Sequence, residues 1–382
     1  MSKLKIAQIV NIWQSIPPLG YGGTERVVAD LTEGLVKKEH EVTLFTVGDS
    51  KNSAVSLYYF KERFLHKNIK WNNYLYPLTH FTWAYDEIKR RNNFDIIHGH
   101  LSLASDFLSL VFAHEQRVPS LFTLHFPLPI EEKNKDRRTL FEYLKNMNYV
   151  SISNRQRSLP LNFVKTIYHG ITTKDFPYVE SPPDDFLVWI GRIVPEKGLE
   201  DAIEITNRLK KKLVIGGRVD EENEANLNYF KTNIEIKLRN SSIIHYNEVT
   251  SEKRDELLSS GKCFLFPIKW EEPFGLVMIE SMACGTPVVA FAKGSVPEVV
   301  KDGETGFIVN TSEEDKRGDW IVKKTGIEGL CEAVEKIYSM PDEQYKQMRK
   351  NCRMHVEKNF TVDKMVDEYE KAYRQIIEIS KK

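Results

Sequence analysis

Residues 271–291 read EEPFGLVMIESMACGTPVVAF. Two carboxylates, Glu272 and Glu280, stand with seven residues between them. A Pro273-Phe274-Gly275 turn separates the first acid from an apolar, helix-favouring run. Gly285-Thr286-Pro287 stops that run, and Val288-Val289 opens a β-branched strand. The stretch is a loop with one acid, a helix with a second, and a return strand, which is the repeating unit of an α/β chain. At such a helix start the N–H groups of Phe274, Gly275 and Leu276 face outward and favour an anion. A carboxylate beside them can accept paired hydrogen bonds from vicinal hydroxyls. The plainer reading makes both acids surface residues favoured by the helix dipole. Against it, Glu280 lies between Met278-Ile279 and Met282-Ala283. A carboxylate in so apolar a helix needs a partner.

The same rhythm runs outward in both directions. Short apolar runs over residues 5–10, 41–46, 94–98, 120–124, 149–152 and 165–168 predict strands, with helices over 24–37 and 103–114. Residues 172–185, with Pro177, Pro182 and Pro183, read as a linker. Strands then resume at 186–190, 212–215, 243–246, 263–267, 287–291 and 307–309. Helices are expected at 198–209, 251–259 and after Gly275, and the tail from Gly326 is helical with breaks near Pro341 and Phe360. The expected fold class is α/β, with two similar halves of mostly parallel sheet facing across a cleft. Ligands of such sheets sit at the strands' C-terminal ends.

Bulk properties narrow the function. A chain of 382 residues is long for one core. Its 54 Lys+Arg balance 54 Asp+Glu, which argues against a nucleic-acid footprint. The four cysteines have no metal-ligand spacing and read as buried thiols. No run is long and apolar enough for a membrane span and no secretory leader is evident, so a cytoplasmic location is expected, with contact to a membrane surface left open.

Three further constellations sit where βα loops belong. Gly20-Tyr21-Gly22-Gly23-Thr24-Glu25-Arg26 follows the first strand and opens the first helix. Gly22 and Gly23 would let backbone N–H groups approach an anion, or simply make a tight turn with Thr24 as N-cap. The string lacks the last glycine of GxGxxG, and no Walker A string occurs, so a dinucleotide cofactor is not supported and none is expected. Gly191-Arg192-Ile193-Val194-Pro195-Glu196-Lys197-Gly198 follows a strand. On a strand-to-helix loop, Arg192 offers a planar fork and Lys197 a mobile charge for a diphosphate, unless Lys197 merely pairs with a neighbouring Glu. His125 ends the strand at 120–124 and would point toward the cleft, and His98 and His100 sit similarly. No third metal ligand stands near that pair, so no metal is expected.

Together these elements resemble a retaining glycosyltransferase of family 4, with the GT-B fold. The resemblance rests on the Glu272–Glu280 string, Gly285-Thr286-Pro287-Val288-Val289, Gly294-Ser295-Val296-Pro297-Glu298, Asp302-Gly303-Glu304-Thr305-Gly306-Phe307, Tyr168-His169-Gly170-Ile171 and Gly191-Arg192 with Lys197-Gly198. It implies an N-terminal acceptor-side domain over 1–171, a donor domain over 172–360, and a last helix, 361–382, crossing back. It also implies metal-independent transfer of a hexose. Arg192 and Lys197 would hold the donor diphosphate, with Gly23 under the phosphates. Glu280 would bind the ribose, Glu272 the sugar, and His125 would lie beside the reacting sugar. His169 departs from the Asn usual in relatives, and Thr172-Thr173 lacks the usual Asp.

The Gly20–Arg26 string with Pro267-Ile268-Lys269-Trp270-Glu271-Glu272 looks like a bacterial branch that includes UDP-glucose:pterin glucosyltransferases. This implies UDP-glucose as leading donor, GDP-mannose as second, and a hydroxyl acceptor on a small molecule, glycan or lipid-linked sugar. Residues 57–76 carry Tyr58, Tyr59, Phe60, Phe64, Trp71, Tyr74 and Tyr76 with Lys61, Arg63, Lys67 and Lys70. They read as an acceptor wall, a membrane-facing patch, or a helix packing its aromatics on the core. Two other functions compete: a UDP-sugar epimerase, which would need no acceptor, and a silent nucleotide-binding module.

Overall fold

A computed structural model describes residues 2–20, 22–64, 69, 73–130, 134–182, 184–221 and 223–381. Tyr21, Lys67, Lys70, Trp71 and Pro183 lie outside them. The chain forms two compact units, Met1–Gly170 with Val362–Lys382, and Ile171–Thr361.

Unit 1 runs β1 (Lys5–Ile9), α1 (Gly23–Lys37), β2 (Glu41–Thr46), β3 (Val55–Tyr58), α2 (Leu75–Arg91), β4 (Ile96–Leu101), α3 (Leu108–His114), β5 (Ser120–Leu124), α4 (Lys135–Tyr143), β6 (Asn148–Ser151) and β7 (Phe163–Thr166). Unit 2 runs β8 (Phe186–Ile193), α5 (Leu199–Leu209), β9 (Lys212–Val219), α6 (Glu224–Tyr229), β10 (Ile243–Tyr246), α7 (Ser251–Ser260), β11 (Cys263–Phe266), α8 (Leu276–Ala283), β12 (Val288–Phe291), α9 (Val296–Val299), β13 (Gly306–Val309), α10 (Gly326–Tyr338) and α11 (Asp342–Asn359). The last helix, α12 (Val362–Ser380), belongs to unit 1.

Both sheets are parallel. Their orders are β3-β2-β1-β4-β5-β6-β7 and β10-β9-β8-β11-β12-β13. In each, the first strand lies inside the sheet and the chain winds first one way and then the other. The reversal falls between β1 and β4 in unit 1 and between β8 and β11 in unit 2, the switch point at which sheets of this kind bind ligands. Helices cover both faces, so inner strands such as Cys263-Phe264-Leu265-Phe266 are buried at every residue.

Two devices hold the outer helices. Arg349 of α11 is fully buried. It donates to the carbonyls of Ser259 (2.9 Å), Gly261 (3.3 Å) and Cys284 (3.2 Å), at the C-terminal ends of α7 and α8. A guanidinium there satisfies orphan carbonyls and complements both helix dipoles. In unit 1, α12 buries Met365, Val366, Tyr369, Ala372, Tyr373 and Ile376, an apolar stripe of helical period. A Cβ at Gly34 of α1 would lie 2.4 Å from Val366, so a glycine is needed where α12 packs. Lys38 holds Glu370 at 2.7 Å.

Three local expectations need correction. The expected helix over 103–114 is a 3-10 turn, Ala104–Phe107, followed by α3. The Asp106 carboxylate accepts the N–H groups of Ser102 and Leu103 at 2.8 Å each and shapes that start. The described part of residues 57–76 is not a helix. It is the end of edge strand β3, a loop, and the start of α2. Phe64 is buried against Trp13 and also meets Phe60 and Tyr76, whereas Tyr58, Tyr59 and Tyr74 are exposed. Arg63 is tied to Asp49. Finally, α1 starts at Gly23 with Gly22 as its N-cap, so Thr24 lies inside the first turn instead of capping it. Among the described residues no helix is long and apolar enough to cross a membrane.

Candidate functional site

In unit 2 the loops after β8 and β11 flank the switch point, and they are fastened together. The N–H of Lys269 donates to the Glu196 carbonyl at 2.8 Å. Gly198 has φ +69°, and a Cβ there would stand 2.0 Å from the Pro267 carbonyl oxygen. Only glycine permits that approach.

The fastening brings Lys197 to Glu272. Lys197 Nζ lies 2.6 Å from Glu272 Oε2, and Trp270 Nε1 donates to the same oxygen at 2.9 Å. The ammonium also sits 5.1 Å from the Trp270 ring centre and 5.7 Å from that of Phe266, within cation–π range. Glu272 is 8% exposed.

A second layer fixes the loop. The Glu272 carbonyl accepts the Ser295 N–H at 2.9 Å, and the Phe274 carbonyl accepts the Ser295 hydroxyl at 2.7 Å. Gly294, at φ +52°, passes so close that a Cβ would lie 2.2 Å from the Glu272 carbonyl oxygen. Glu271 turns the other way. It accepts the Gly294 N–H and an Arg317 N–H, each at 2.8 Å. Burial pushes the Glu271 carboxyl up, but Arg317 and the Gly294 N–H outweigh it and hold it below the usual carboxylate range. Asp315 is held far lower still, by Arg317 and then Lys293, whose Nζ is 2.6 Å away.

Glu280, 5% exposed in the second turn of α8, has its partner in Arg254 of α7, with Nη1 3.1 Å from Oε1. Arg254 also meets Asp255 at 2.8 Å and stands over the Phe176 ring at 5.5 Å. Gly275 is the N-cap of α8 at φ +76° and Leu276 its first residue; Phe274 is buried with its ring edge-on to Phe360. Arg192 corrects the sequence reading. It is not on the strand-to-helix loop, because β8 runs on to Ile193 and pairs Arg192 with Arg218 of β9.

Unit 1 gathers a different set. His125 follows β5, its N–H donating to the Leu101 carbonyl at 2.8 Å. Its Nε2 lies 3.1 Å from His100 Nδ1, and its ring stacks on His169 at 5.2 Å and 20°. His98 packs against His100 with centroids 4.0 Å apart and ring planes tilted by 40°. Its Nδ1 meets the Tyr373 hydroxyl at 2.7 Å and its Nε2 the Thr123 hydroxyl at 2.8 Å, which in turn meets the Tyr369 hydroxyl at 2.9 Å. Burial drives His98 and His125 down to about 3, and His100 and His169 also well below their ordinary value. All four rings are therefore neutral at pH 7. At the ends of β1 and β4, Asn11 donates to Ser102 Oγ at 3.2 Å and, at 3.4 Å, to Glu25, whose carboxyl burial raises. A Cβ at Gly22 would stand 3.0 Å from Glu25 Oε2. Among the described residues no group of three or more His, Cys, Asp or Glu is placed to hold a metal ion.

Sequence reasoning passed over Trp270, Arg254, Arg317, Tyr369 and Tyr373. Trp270 stood inside a quoted string without a role. The unmet need of a buried Glu280 was the one signal pointing to Arg254. His169, noted only as a departure, is the ring that stacks on His125.

Residues 171–355 match the family Glycosyl transferases group 1, and residues 21–163 match Glycosyltransferase Family 4. The chain is a family 4-type glycosyltransferase of the GT-B fold. The enzyme is 23% identical to the N-acetyl-alpha-D-glucosaminyl L-malate synthase of Bacillus anthracis, over 98% of each chain. Among solved structures it resembles the sucrose-phosphate synthase of Thermosynechococcus elongatus, with a TM-score of 0.76, 20% identity, and 99% and 100% of the two chains covered. It also resembles Anabaena HepE in complex with UDP-glucose, with a TM-score of 0.71, 15% identity, and 97% and 100% covered.

Proposed function

We propose that the enzyme transfers a hexose from a nucleotide-diphosphate sugar, UDP-glucose first and GDP-mannose second, to a hydroxyl acceptor, with retained configuration and without a metal ion. The observation that carries this reading is the Lys197–Glu272 pair, held at the switch point by Gly198 and Gly294. The donor would exchange that pair for two contacts of its own. Its diphosphate would take Lys197, and its sugar hydroxyls would donate to Glu272. Arg192 joins Lys197 on the diphosphate, and the N–H groups of Phe274, Gly275 and Leu276 lie at a helix start suited to anionic or hydroxyl oxygens. Glu280, paired with Arg254, takes the ribose hydroxyls. Unit 1 contributes Gly22, Gly23 and His125, the last beside the reacting sugar. The solved HepE complex with UDP-glucose supports the choice of donor.

In the reaction, the acceptor hydroxyl oxygen attacks the anomeric carbon on the face from which the nucleoside diphosphate leaves. The bond from that carbon to the phosphate oxygen breaks, and the acceptor proton passes to the leaving oxygen. Lys197 and Arg192 stabilise the negative charge that grows there. The acceptor is a small molecule of the pterin type, a glycan or a lipid-linked sugar, with the exposed Tyr58, Tyr59 and Tyr74 near its path or against a membrane surface.

A thermal-shift series against UDP, GDP, ADP and their sugars tests the donor, since ligand binding to the folded state raises apparent stability. UDP and UDP-glucose are expected to give the largest rise. Product analysis of UDP-glucose with and without acceptors completes the test. A new UDP-sugar formed without acceptor means an epimerase, and tight UDP binding without turnover on any acceptor means a silent module.

A further inference from the structure

His100 has no role in the reading above, yet it is bonded to a residue that does. His100 is 2% exposed, its Nδ1 lies 3.1 Å from His125 Nε2, and among the described residues neither His100 Nε2 nor His125 Nδ1, both buried, has a hydrogen-bond partner. We propose that His100 is a positioning residue that locks His125 in a single tautomer and so decides whether the nitrogen His125 presents to the transferred sugar donates or accepts a hydrogen bond. The inference rests on the placement of His125 beside that sugar.

A neutral imidazole has one N–H and one lone pair. The 3.1 Å bond holds one proton. If His125 Nε2 supplies it, His125 Nδ1 is a lone pair; if His100 Nδ1 supplies it, His125 Nδ1 carries a hydrogen. The bond made by one nitrogen thus sets the role of the other. This requires two neutral rings, because a charged His100 has no lone pair to offer, and burial keeps both neutral. The surroundings keep His100 still. His98 and His100 alternate about Gly99 and so share one face of β4. A Cβ at Gly99 would lie 2.4 Å from the Phe122 ring, so the residue between them is glycine by necessity. His98, packed against His100 at a tilt, is itself anchored at both nitrogens by Tyr373 and Thr123. His169 stacks on His125.

The test is spectroscopic. In protein labelled with 15N-histidine, two-bond 1H–15N correlations distinguish the two tautomers, and the His125 signals are those absent from His125→Ala. The proposal expects one tautomer for His125 in the unmodified enzyme. It expects a mixture, or the other tautomer, in His100→Phe, and no change in Tyr373→Phe, which leaves the His100–His125 bond intact. Turnover of UDP-glucose by His100→Phe should fall roughly tenfold or more with KM within about threefold, the mark of an interaction used in the transition state. An even tautomer mixture in the unmodified enzyme overturns the proposal without any variant having to fold. Turnover unchanged in His125→Ala overturns the role of His125 and the proposal with it. Turnover lost in His125→Ala, with the His125 tautomer unmoved in His100→Phe, overturns the proposal alone.

Discussion

At the end of β11, Glu272 meets Lys197 at 2.6 Å; at the end of β5, His125 meets His100 at 3.1 Å. The two units share a strand order through their first strands, in which β11 corresponds to β4, the strand of His100, and β5 lies one strand further out, so these are neighbouring places in one topology. Unit 2 fills its place with opposite charges in tiers: Lys197–Glu272, Arg254–Glu280 and Arg317–Glu271. Unit 1 fills its place with neutral imidazoles and with acids that burial pushes toward protonation, Glu25 and Asp106. The difference teaches how one fold can serve two kinds of ligand. Charges held by partners can be handed to an anionic donor at little desolvation cost. Neutral rings can grip a sugar or an uncharged acceptor without repelling the phosphates.

The comparison breaks most visibly if a charge in unit 2 loses its partner. The side chains of Arg254 and Glu280 are 12% and 7% exposed, and Arg254→Ala leaves a buried carboxylate uncompensated. The expected loss is about 3–5 kcal/mol in a urea titration, and the paired change Arg254→Met with Glu280→Leu should recover most of it. A loss below about 1 kcal/mol would mean that Glu280 is satisfied without Arg254. Next in size is Lys197→Ala. Losing this cation should lower kcat with UDP-glucose by about 10²–10³, as removal of one donor to a developing oxyanion does. Near-normal turnover in steady-state assays would sink its assignment to the diphosphate.

What was legible in the sequence follows the same divide between local and distant physics. Runs such as Val288-Val289-Ala290-Phe291 are buried on both faces and announce a strand without any partner in view. The edge strand Val55-Ser56-Leu57-Tyr58 is only half-buried and shows no such run. Helix α2 escaped because its buried stripe is Pro77, His80, Phe81, Ala84, Tyr85 and Ile88, in which a proline and a histidine hide the period. Gly191 looked like the end of β8. It is instead a strand residue opposite Gly217, where a Cβ would come 2.9 Å from the Trp189 ring. At the site, the need of Glu280 for a cation was readable from its apolar neighbours. The identity of that cation was not, since Arg254 lies on another helix. The His98-Gly99-His100 pair was equally visible, but Tyr373 meets His98 across 275 positions of chain. Only the fold brings such partners together.

The smallest expected effect is a difference in acid sensitivity between the units. His98 and His125 are held near 3 and His80 near 4 by burial, against an ordinary 6.5 in the unfolded chain. As pH falls below about 6.5 the unfolded chain takes up protons that folded unit 1 refuses, so folding of unit 1 loses ground from there down toward 3. Asp106 opposes this. Burial raises it from 3.8 to about 6, so the folded form gains as pH falls across that window, and Glu25 acts in the same direction. In unit 2 burial lowers His355 likewise, but Glu271 and Asp315 are depressed carboxylates. Their contribution is whole above their ordinary 4.5 and 3.8 and is lost only as pH falls below those values. With more lowered imidazoles than raised acids, unit 1 should loosen first between pH 6.5 and 4.5. Hydrogen exchange followed by mass spectrometry, corrected for the intrinsic pH dependence of exchange, reads this peptide by peptide. Faster exchange at β4 and β5 while β11 and β12 stay protected is the expected result. The reverse order would show that the salt bridges of unit 2, and not the neutral rings of unit 1, are the acid-sensitive half of the molecule.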